Sequence, residues 1–224
     1  MTKREPAPAI EAVIFDLDGV IVSTDEYHYL GWQRLADELG IPFDRHINER
    51  LRGVSRLQSL EIILEQAAQP YTAAEKLELA ERKNTYYREF LQQVSPKDIL
   101  PGVLELLAEL KTRKIKIAIG SSSRNTPLIL AQIGLSHTFD ALADGNDITR
   151  SKPDPEVFLL AAERLGVSPS ACLVVEDADA GVESALAAGM SVLGVGSASN
   201  HPRATSTAQS LETVTSGLFL EVVS

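Results

Sequence analysis

The sequence predicts an α/β protein whose doubly wound parallel sheet is interrupted, after its first strand, by an inserted helical segment. Three observations predict this fold class. Short apolar runs alternate with amphipathic helical patterns along most of the chain. Residues 24–94 contain helical patterns without a convincing strand. Carboxylates and hydroxyls follow directly after several of the apolar runs, which is typical of sheets that bind ligands outside the carboxyl ends of their strands.

Five apolar runs are typical of buried parallel strands. Each is short, is aliphatic or β-branched, and is separated from the next by a helical pattern. They cover residues 12–15, 115–119, 141–143, 173–175 and 192–195. A final strand is expected near residues 218–223.

Amphipathic patterns connect these strands. One helix face before the second strand is formed by Val103, Leu106, Leu107 and Leu110. The stretch "SKPDPEVFLLAAERLG" predicts a helix that is capped by Asp154, begins at Pro155 and ends at Gly166. The stretch "DADAGVESALAAG" ends in the same way at Gly189. Short strand–helix–strand connections of this kind predict a doubly wound, Rossmann-like parallel sheet.

Residues 24–94 contain three helical patterns, each with apolar residues on one face. The three faces comprise Trp32, Leu35 and Leu39; Leu60, Ile63, Leu64 and Ala67; and Leu77, Ala80, Asn84, Tyr87 and Leu91. We therefore expect a helical domain over residues 24–94, inserted between two parts of an α/β core, residues 1–23 and 95–224.

The charge balance excludes some classes of partner. The 224 residues carry a formal net charge of -10, so the surface repels nucleic acid and anionic lipid. No apolar run approaches the ~20 residues of a membrane helix, and the N-terminus does not resemble a signal peptide. We expect a cytoplasmic protein with no nucleic-acid or membrane partner. Nothing in the sequence requires a dimer, so a monomer is expected.

Polar side chains follow three of the predicted strands. Asp16 and Asp18 follow the first, the stretch "SSSRN" at residues 121–125 follows the second, and Glu176 and Asp177 follow the fourth. Because the carboxyl ends of parallel strands meet at one edge of a sheet, we expect these groups to converge.

This set of groups suits chemistry at a phosphate. Carboxylates crowd together at tolerable cost when a divalent cation neutralises them, and an all-oxygen cluster suits Mg²⁺. Serines where a strand joins a helix bind anions, and Lys152 adds positive charge. Taken singly, an aspartate such as Asp177 is more often a helix N-cap than a metal ligand, and a lysine such as Lys152 is more often simply solvated. Together the groups predict a phosphoryl-transfer site.

Four stretches, "DLDGV", "SSSRN", "SKPDPEVF" and "VEDADAGV", resemble the four motifs of the haloacid dehalogenase superfamily. They occur in the order of that superfamily, and the resemblance covers nearly the whole chain. The helical insert resembles the small four-helix cap of the β-phosphoglucomutase-like subgroup.

The resemblance implies a role for each core residue. Asp16 would be the nucleophile that forms an aspartyl phosphate, and Asp18 the general acid/base. Mg²⁺ would be held by Asp16, Glu176, Asp177 and the backbone carbonyl of Asp18. Lys152 would offset negative charge on Asp16 and on the phosphate. The transferring phosphoryl group would be bound by Ser121, Ser122, Ser123, Arg124 and Asn125.

Two further stretches, "LRGVSRLQS" and "ERKNTYY", resemble parts of the cap in the same subgroup. Arg56 would bind the distal phosphate of the substrate with two guanidinium N–H groups. His28 would link cap closure to proton transfer, and Lys83 would reach toward the substrate. Taken singly, these three are ordinary half-exposed or solvated helix residues. Support for Arg56 would come from Gly53, Val54, Ser55 and Ser59.

The resemblance implies an isomerase acting on a small phosphorylated sugar. It would interconvert β-D-glucose 1-phosphate and glucose 6-phosphate through an aspartyl-phosphate enzyme and a glucose 1,6-bisphosphate intermediate. The alternatives are a Mg²⁺-dependent sugar-phosphate phosphatase and a mutase for another sugar 1-phosphate. A non-enzymatic phospho-aspartate receiver is disfavoured by the helical insert and by a nucleophile on the first strand.

The chain departs from the superfamily at two positions, of which Arg124, where some relatives have lysine, retains the charge. Many members have aspartate before the threonine that follows "DLDGVI", whereas this chain has Ser23 before Thr24. Because this position lies between core and cap, the loss of a carboxylate is expected to affect cap closure or sugar preference.

Overall fold

Six parallel strands form one sheet in the computed structural model, which describes residues 9–52 and 54–214. The strands are β1 (Ala12–Phe15), β2 (Lys116–Gly120), β3 (Ala141–Ala143), β4 (Cys172–Glu176), β5 (Ser191–Gly194) and β6 (Ser206–Thr207). Their order across the sheet is β3-β2-β1-β4-β5-β6. The order reverses between β1 and β4, so the carboxyl ends of these two strands open onto a switch point where ligands bind in such sheets.

The helices lie in two groups along the chain. The first group follows β1 and comprises α1 (Asp25–Leu39), α2 (Arg45–Glu49), α3 (Arg56–Leu64) and α4 (Ala73–Leu91). The second group alternates with the strands and comprises α5 (Val103–Thr112), α6 (Thr126–Gln132), α7 (Glu156–Leu165) and α8 (Asp179–Ala187).

The sheet is covered on both faces, as its sequence requires. Side chains alternate along β1, so Val13 and Phe15 pack with α5 and α6 on one face. Ala12 and Ile14 pack with α7 and α8 on the other. A strand that is buried on both faces has apolar residues at consecutive positions, which is why the sequence predicts β1 and β4 clearly.

The four helices after β1 surround a third, separate apolar cluster. Trp32, Leu35, Leu60 and Leu79 are buried in it. Reciprocal capping hydrogen bonds fix the starts of α3 and α4, between Ser55 and Gln58 and between Thr72 and Glu75. Near its end, α4 instead packs Tyr87 and Leu91 into the cluster of the sheet. A separate domain over residues 24–94 stays a prediction.

The predicted elements are confirmed with small shifts. The second strand is Lys116–Gly120 rather than residues 115–119. The helix predicted to begin at Pro155 begins one residue later, so Pro155 and not Asp154 is its N-cap, although Asp154 Oδ1 accepts the Glu156 N–H at 3.0 Å. Leu77 lies in α4, where a helix was predicted, but it is 57% exposed and so does not pack with the buried residues of that helix. The strand expected near residues 218–223 lies outside the described residues.

Across residues 9–52 and 54–214, no helix combines the length and the apolar character that crossing a membrane requires.

Candidate active site

One cavity of about 290 Å³ lies at the carboxyl ends of the strands, with α1, α3 and α4 forming its other walls. This volume is at the lower end of pockets that bind small molecules. Most of the predicted site residues line it: Asp16, Asp18, His28, Val54, Ser55, Arg56, Ser59, Lys83, Ser121, Ser122, Ser123, Arg124, Asn125, Lys152 and Asp177. Glu176 lies fully buried beside this pocket, bonded to Lys152, and Gly53 is outside the described residues.

Lys152 joins two of the carboxylates. Its Nζ donates to Asp16 Oδ1 at 2.5 Å and to Glu176 Oε1 at 2.7 Å, and it lies 4.6 Å from the centre of the Phe158 ring. Burial lowers the pKa of Lys152, but the two carboxylates outweigh it and the pKa is raised. Lys152 is therefore a permanent, buried positive charge beside Asp16.

Two glycines allow the carboxylates of Glu176 and Asp177, at the end of β4, to approach the backbone. Glu176 Oε2 accepts the backbone N–H groups of Asp177 at 2.6 Å and of Ala178 at 3.0 Å. A Cβ at Gly181 would lie 1.7 Å from Glu176 Oε1. A Cβ at Gly19, where φ is +80°, would lie 2.2 Å from Asp177 Oδ2. Any side chain at either glycine would displace one of these carboxylates.

Asp16, Glu176 and Asp177 form a compact group of buried carboxylates. Each offers an oxygen within 4.8 Å of the others. Burial raises the pKa of Asp16 well above its ordinary value, Lys152 opposes this, and the other two carboxylates add to it. Burial and Glu176 raise the pKa of Asp177 to about 7, although Arg52 lowers it. Such a group is stable as anions beside a divalent cation, and its all-oxygen donors fit Mg²⁺.

Asp18 faces the helices of the insert. The Thr24 hydroxyl donates to Asp18 Oδ1 and lies 2.8 Å from the hydroxyl of Tyr87. His28 Nε2 lies 3.8 Å from Asp18 Oδ2. Burial raises the pKa of Asp18 to about 6, although the bond from Thr24 lowers it. A carboxyl group with this pKa exchanges protons readily near neutral pH. Metal ligation through the Asp18 backbone carbonyl stays a prediction.

Lys83 is a buried residue of α4 that lines the pocket. Its Nζ is 2.9 Å from His28 Nδ1 and 4.6 and 4.7 Å from the centres of the Trp32 and Tyr87 rings. Burial lowers the pKa of Lys83 well below its ordinary value, and Arg56 lowers it further. Burial and Lys83 also lower the pKa of His28. The pair is therefore easily deprotonated, and an arriving anion would favour its charged form.

The loop after β2 is held by its own hydroxyls. Ser121 Oγ accepts the Ser123 N–H at 3.1 Å, and Ser123 Oγ accepts the Asn125 N–H at 3.2 Å. Ser122 Oγ is buried and has no hydrogen-bond partner within the described part of the chain. An unpaired buried hydroxyl is costly, so a bound anion that accepts a hydrogen bond from Ser122 Oγ would remove this cost.

Arg56 is a further cationic group of the pocket. Its Nη1 lies 2.5 Å from Glu81 Oε1, and its side chain is 19% exposed against 67% for Glu81. Burial lowers the pKa of Arg56, Glu81 raises it, and Arg124 lowers it. Arg124 is held by its Nε, which donates to the Gly145 carbonyl at 3.0 Å. Ser55 caps α3, the helix that begins at Arg56.

The contacts between the insert and the core could not be predicted from the sequence. Arg52 Nη2 donates to Asp177 Oδ2 at 2.7 Å, and Asn125 Nδ2 donates to Asn84 Oδ1 at 2.9 Å. Arg52 and Asn84 both belong to stretches that the sequence singles out, "LRGVSRLQS" and "ERKNTYY". Their partners lie 125 and 41 residues away, however, and no local pattern indicates them.

Comparison with known proteins agrees with this geometry. The profile of the haloacid dehalogenase-like hydrolases matches residues 10–189. Beta-phosphoglucomutase of Bacillus subtilis is 49% identical over 84% of each chain. A phosphorylated carbohydrates phosphatase of Thermotoga maritima is 34% identical over 81% of this chain and 82% of its own. The crystal structure of beta-phosphoglucomutase from Clostridium difficile superposes with a TM-score of 0.90 at 40% identity, covering 96% and 97% of the two chains.

Proposed function

The chain belongs to the haloacid dehalogenase-like hydrolase family, and on that premise we propose that it is a phosphomutase. It interconverts β-D-glucose 1-phosphate and glucose 6-phosphate through an aspartyl-phosphate enzyme and a glucose 1,6-bisphosphate intermediate. The similarity to two beta-phosphoglucomutases supports this choice of sugar.

One observation carries the proposal: Lys152 and Arg56, two of the cationic side chains that line the pocket, share no ion-pair partner. Lys152 is paired with Asp16 and Glu176, whereas Arg56 is paired with Glu81. A sugar bisphosphate carries one phosphate at each end, so a mutase needs one cationic group at the reacting phosphate and another at the distal one. A phosphatase acting on a monophosphate needs only the first.

In the proposed reaction, a carboxylate oxygen of Asp16 attacks the phosphorus of one phosphate of the bisphosphate. The bond from phosphorus to the sugar oxygen breaks, and the sugar oxygen takes a proton from Asp18. Lys152 and Ser121 border Asp16 and the loop after β2, and we assign them the oxygens of the transferring phosphoryl group. Mg²⁺ held by Asp16, Glu176 and Asp177 would supply the positive charge that keeps Asp16 ionised.

In the second transfer, β-D-glucose 1-phosphate binds to the aspartyl-phosphate enzyme, and Asp18 as a carboxylate removes a proton from its 6-hydroxyl. That oxygen then attacks the phosphorus of the aspartyl phosphate, and the bond from phosphorus to Asp16 breaks. Both protonation states of Asp18 are used, and a pKa of about 6 makes both available near neutral pH. Arg56, with Ser55, Ser59 and Val54, would hold the distal phosphate during each transfer.

The second candidate is a sugar-phosphate phosphatase. It uses the same attack by Asp16, but water rather than a sugar hydroxyl cleaves the aspartyl phosphate. The similarity to the Thermotoga maritima phosphatase favours it. A small phosphorylated sugar is the substrate in both cases, and a monomer in the cytoplasm stays a prediction.

The experiment that separates the two candidates supplies β-glucose 1-phosphate, Mg²⁺ and a trace of glucose 1,6-bisphosphate. Glucose 6-phosphate and inorganic phosphate are followed in the same sample. We expect glucose 6-phosphate to form much faster than phosphate. Phosphate as the sole product would establish the phosphatase instead.

A further inference from the structure

The segment between α2 and α3 places a cation on the carboxylate group of the core. Arg52 Nη2 lies 2.7 Å from Asp177 Oδ2 and 2.8 Å from Asp25 Oδ2. The Asp177 side chain is 8% exposed, whereas Arg52 and Asp25 are 26% and 39% exposed. The contact thus joins a buried core carboxylate to a more exposed side chain of the insert.

Arg52 differs from the other cation of the carboxylate group in how firmly it is held. Lys152 is 1% exposed and is bonded to two core carboxylates. If it moved away, these two buried carboxylates would lose their counter-charge, which is costly. Arg52 has a second partner, Asp25 at the start of α1, which does not belong to the carboxylate group. Arg52 can therefore release Asp177 and keep an ion pair.

We propose that Arg52 is an exchangeable counter-ion of this site, bound to Asp177 until a divalent cation takes its place. The inference rests on the proposed role of Asp16, Glu176 and Asp177 in holding Mg²⁺. A guanidinium on Asp177 Oδ2 places positive charge where the cation would bind, and two cations at one carboxylate repel each other. Binding of Mg²⁺ and the contact of Arg52 with Asp177 oppose each other, and the coupling is reciprocal.

The consequence is a link between metal binding and the segment that carries the predicted distal-phosphate residues. Arg52 is four residues before Arg56 in the chain. When Arg52 leaves Asp177, the segment loses a direct bond to the core and keeps its bond to Asp25. Metal binding would therefore free this segment to adjust to a sugar phosphate.

The test is the dissociation constant of Mg²⁺, measured by titration calorimetry at fixed ionic strength without any sugar. We expect Arg52→Gln to bind Mg²⁺ about fivefold more tightly than the unchanged protein, because it removes a partly exposed competitor. Arg50→Gln is the matched control. It makes the same change in charge two residues away, but Arg50 pairs with Glu65, at 2.8 Å and with both side chains 49% exposed. Arg52→Lys, which restores the charge, should return the constant toward its original value.

The outcomes separate this inference from the proposed function. Tighter binding in Arg52→Gln alone supports the exchange. Equal tightening in Arg52→Gln and Arg50→Gln would show that the effect comes from net charge alone, and would overturn the proposed exchange. Unchanged or weaker Mg²⁺ binding in Arg52→Gln would overturn it as well. If the unchanged protein and every variant bind no Mg²⁺, the proposed metal site itself is wrong.

Discussion

If Arg56 binds the distal phosphate as proposed, Glu81 competes with the substrate for it, and removing the charge of Glu81 should strengthen substrate binding. The two side chains form an ion pair at 2.5 Å. Glu81 is 67% exposed, which limits the pair to the range of surface salt bridges, about 0–1 kcal/mol. Arg56 is only 19% exposed, so we take the upper end of that range. Since 1.4 kcal/mol corresponds to a factor of ten, Glu81→Gln should lower KM for β-glucose 1-phosphate about fivefold.

The assay compares KM for β-glucose 1-phosphate with hydrolysis of p-nitrophenyl phosphate, which has no distal phosphate. Glu78→Gln is the matched control, because Glu78 lies on the same helix, pairs with Arg82 and is 71% exposed. We expect only Glu81→Gln to lower KM, with ester hydrolysis unchanged in both variants. An unchanged or raised KM in Glu81→Gln, or an equal fall in Glu78→Gln, would refute the competition between Glu81 and substrate.

Three further substitutions test other parts of the site. Asp16→Asn should abolish formation of glucose 6-phosphate, because it removes the attacking carboxylate; normal turnover would rule out a covalent intermediate on Asp16. Asp18→Asn should lower kcat roughly 10²–10⁴-fold, the usual effect of losing a positioned acid/base. With a pKa of about 6 for Asp18, kcat/KM of the unchanged enzyme should fall below about pH 6, and this dependence should vanish in the variant. Gly181→Ala should weaken Mg²⁺ binding in calorimetry, because a Cβ would displace the carboxylate of Glu176; an unchanged constant would contradict the packing described for this turn.

The sequence predicts the core of the fold well because each strand carries its own signal. β1 and β4 are buried on both faces, so they appear as uninterrupted apolar runs, and the ends of such runs can be located to within a residue or two. Asp16 and Asp177 follow these runs directly, and topology alone then brings them to the same edge of the sheet.

The insert is less predictable from its pattern. Its shortest helix, α2, has five residues and no buried side chain, so it shows no apolar periodicity. Only Asp44, which caps it through the Ile47 N–H, marks its start. Leu77 fits the face of α4 by spacing but is exposed at the pocket, because a helix face that borders a cavity has no neighbour to cover it.

Contacts between insert and core leave no trace in local spacing. The Thr24 hydroxyl bridges Asp18 and Tyr87, and Arg52 reaches Asp177 across 125 residues of sequence. These partners meet only once the insert has folded against the sheet. Sequence patterns therefore identify the groups of the site, but the pairing of those groups requires the structure.

The central claim is that the phosphoryl group on Asp16 passes to a sugar hydroxyl. The most direct test labels the enzyme with glucose 1,6-bisphosphate carrying ³²P, removes the excess, and adds unlabelled β-glucose 1-phosphate in a rapid-quench apparatus. We predict that the label leaves Asp16 and appears in glucose bisphosphate and glucose 6-phosphate before any appears as inorganic phosphate. Label released only as inorganic phosphate, at a rate that does not depend on the added sugar, would contradict the account and identify a phosphatase.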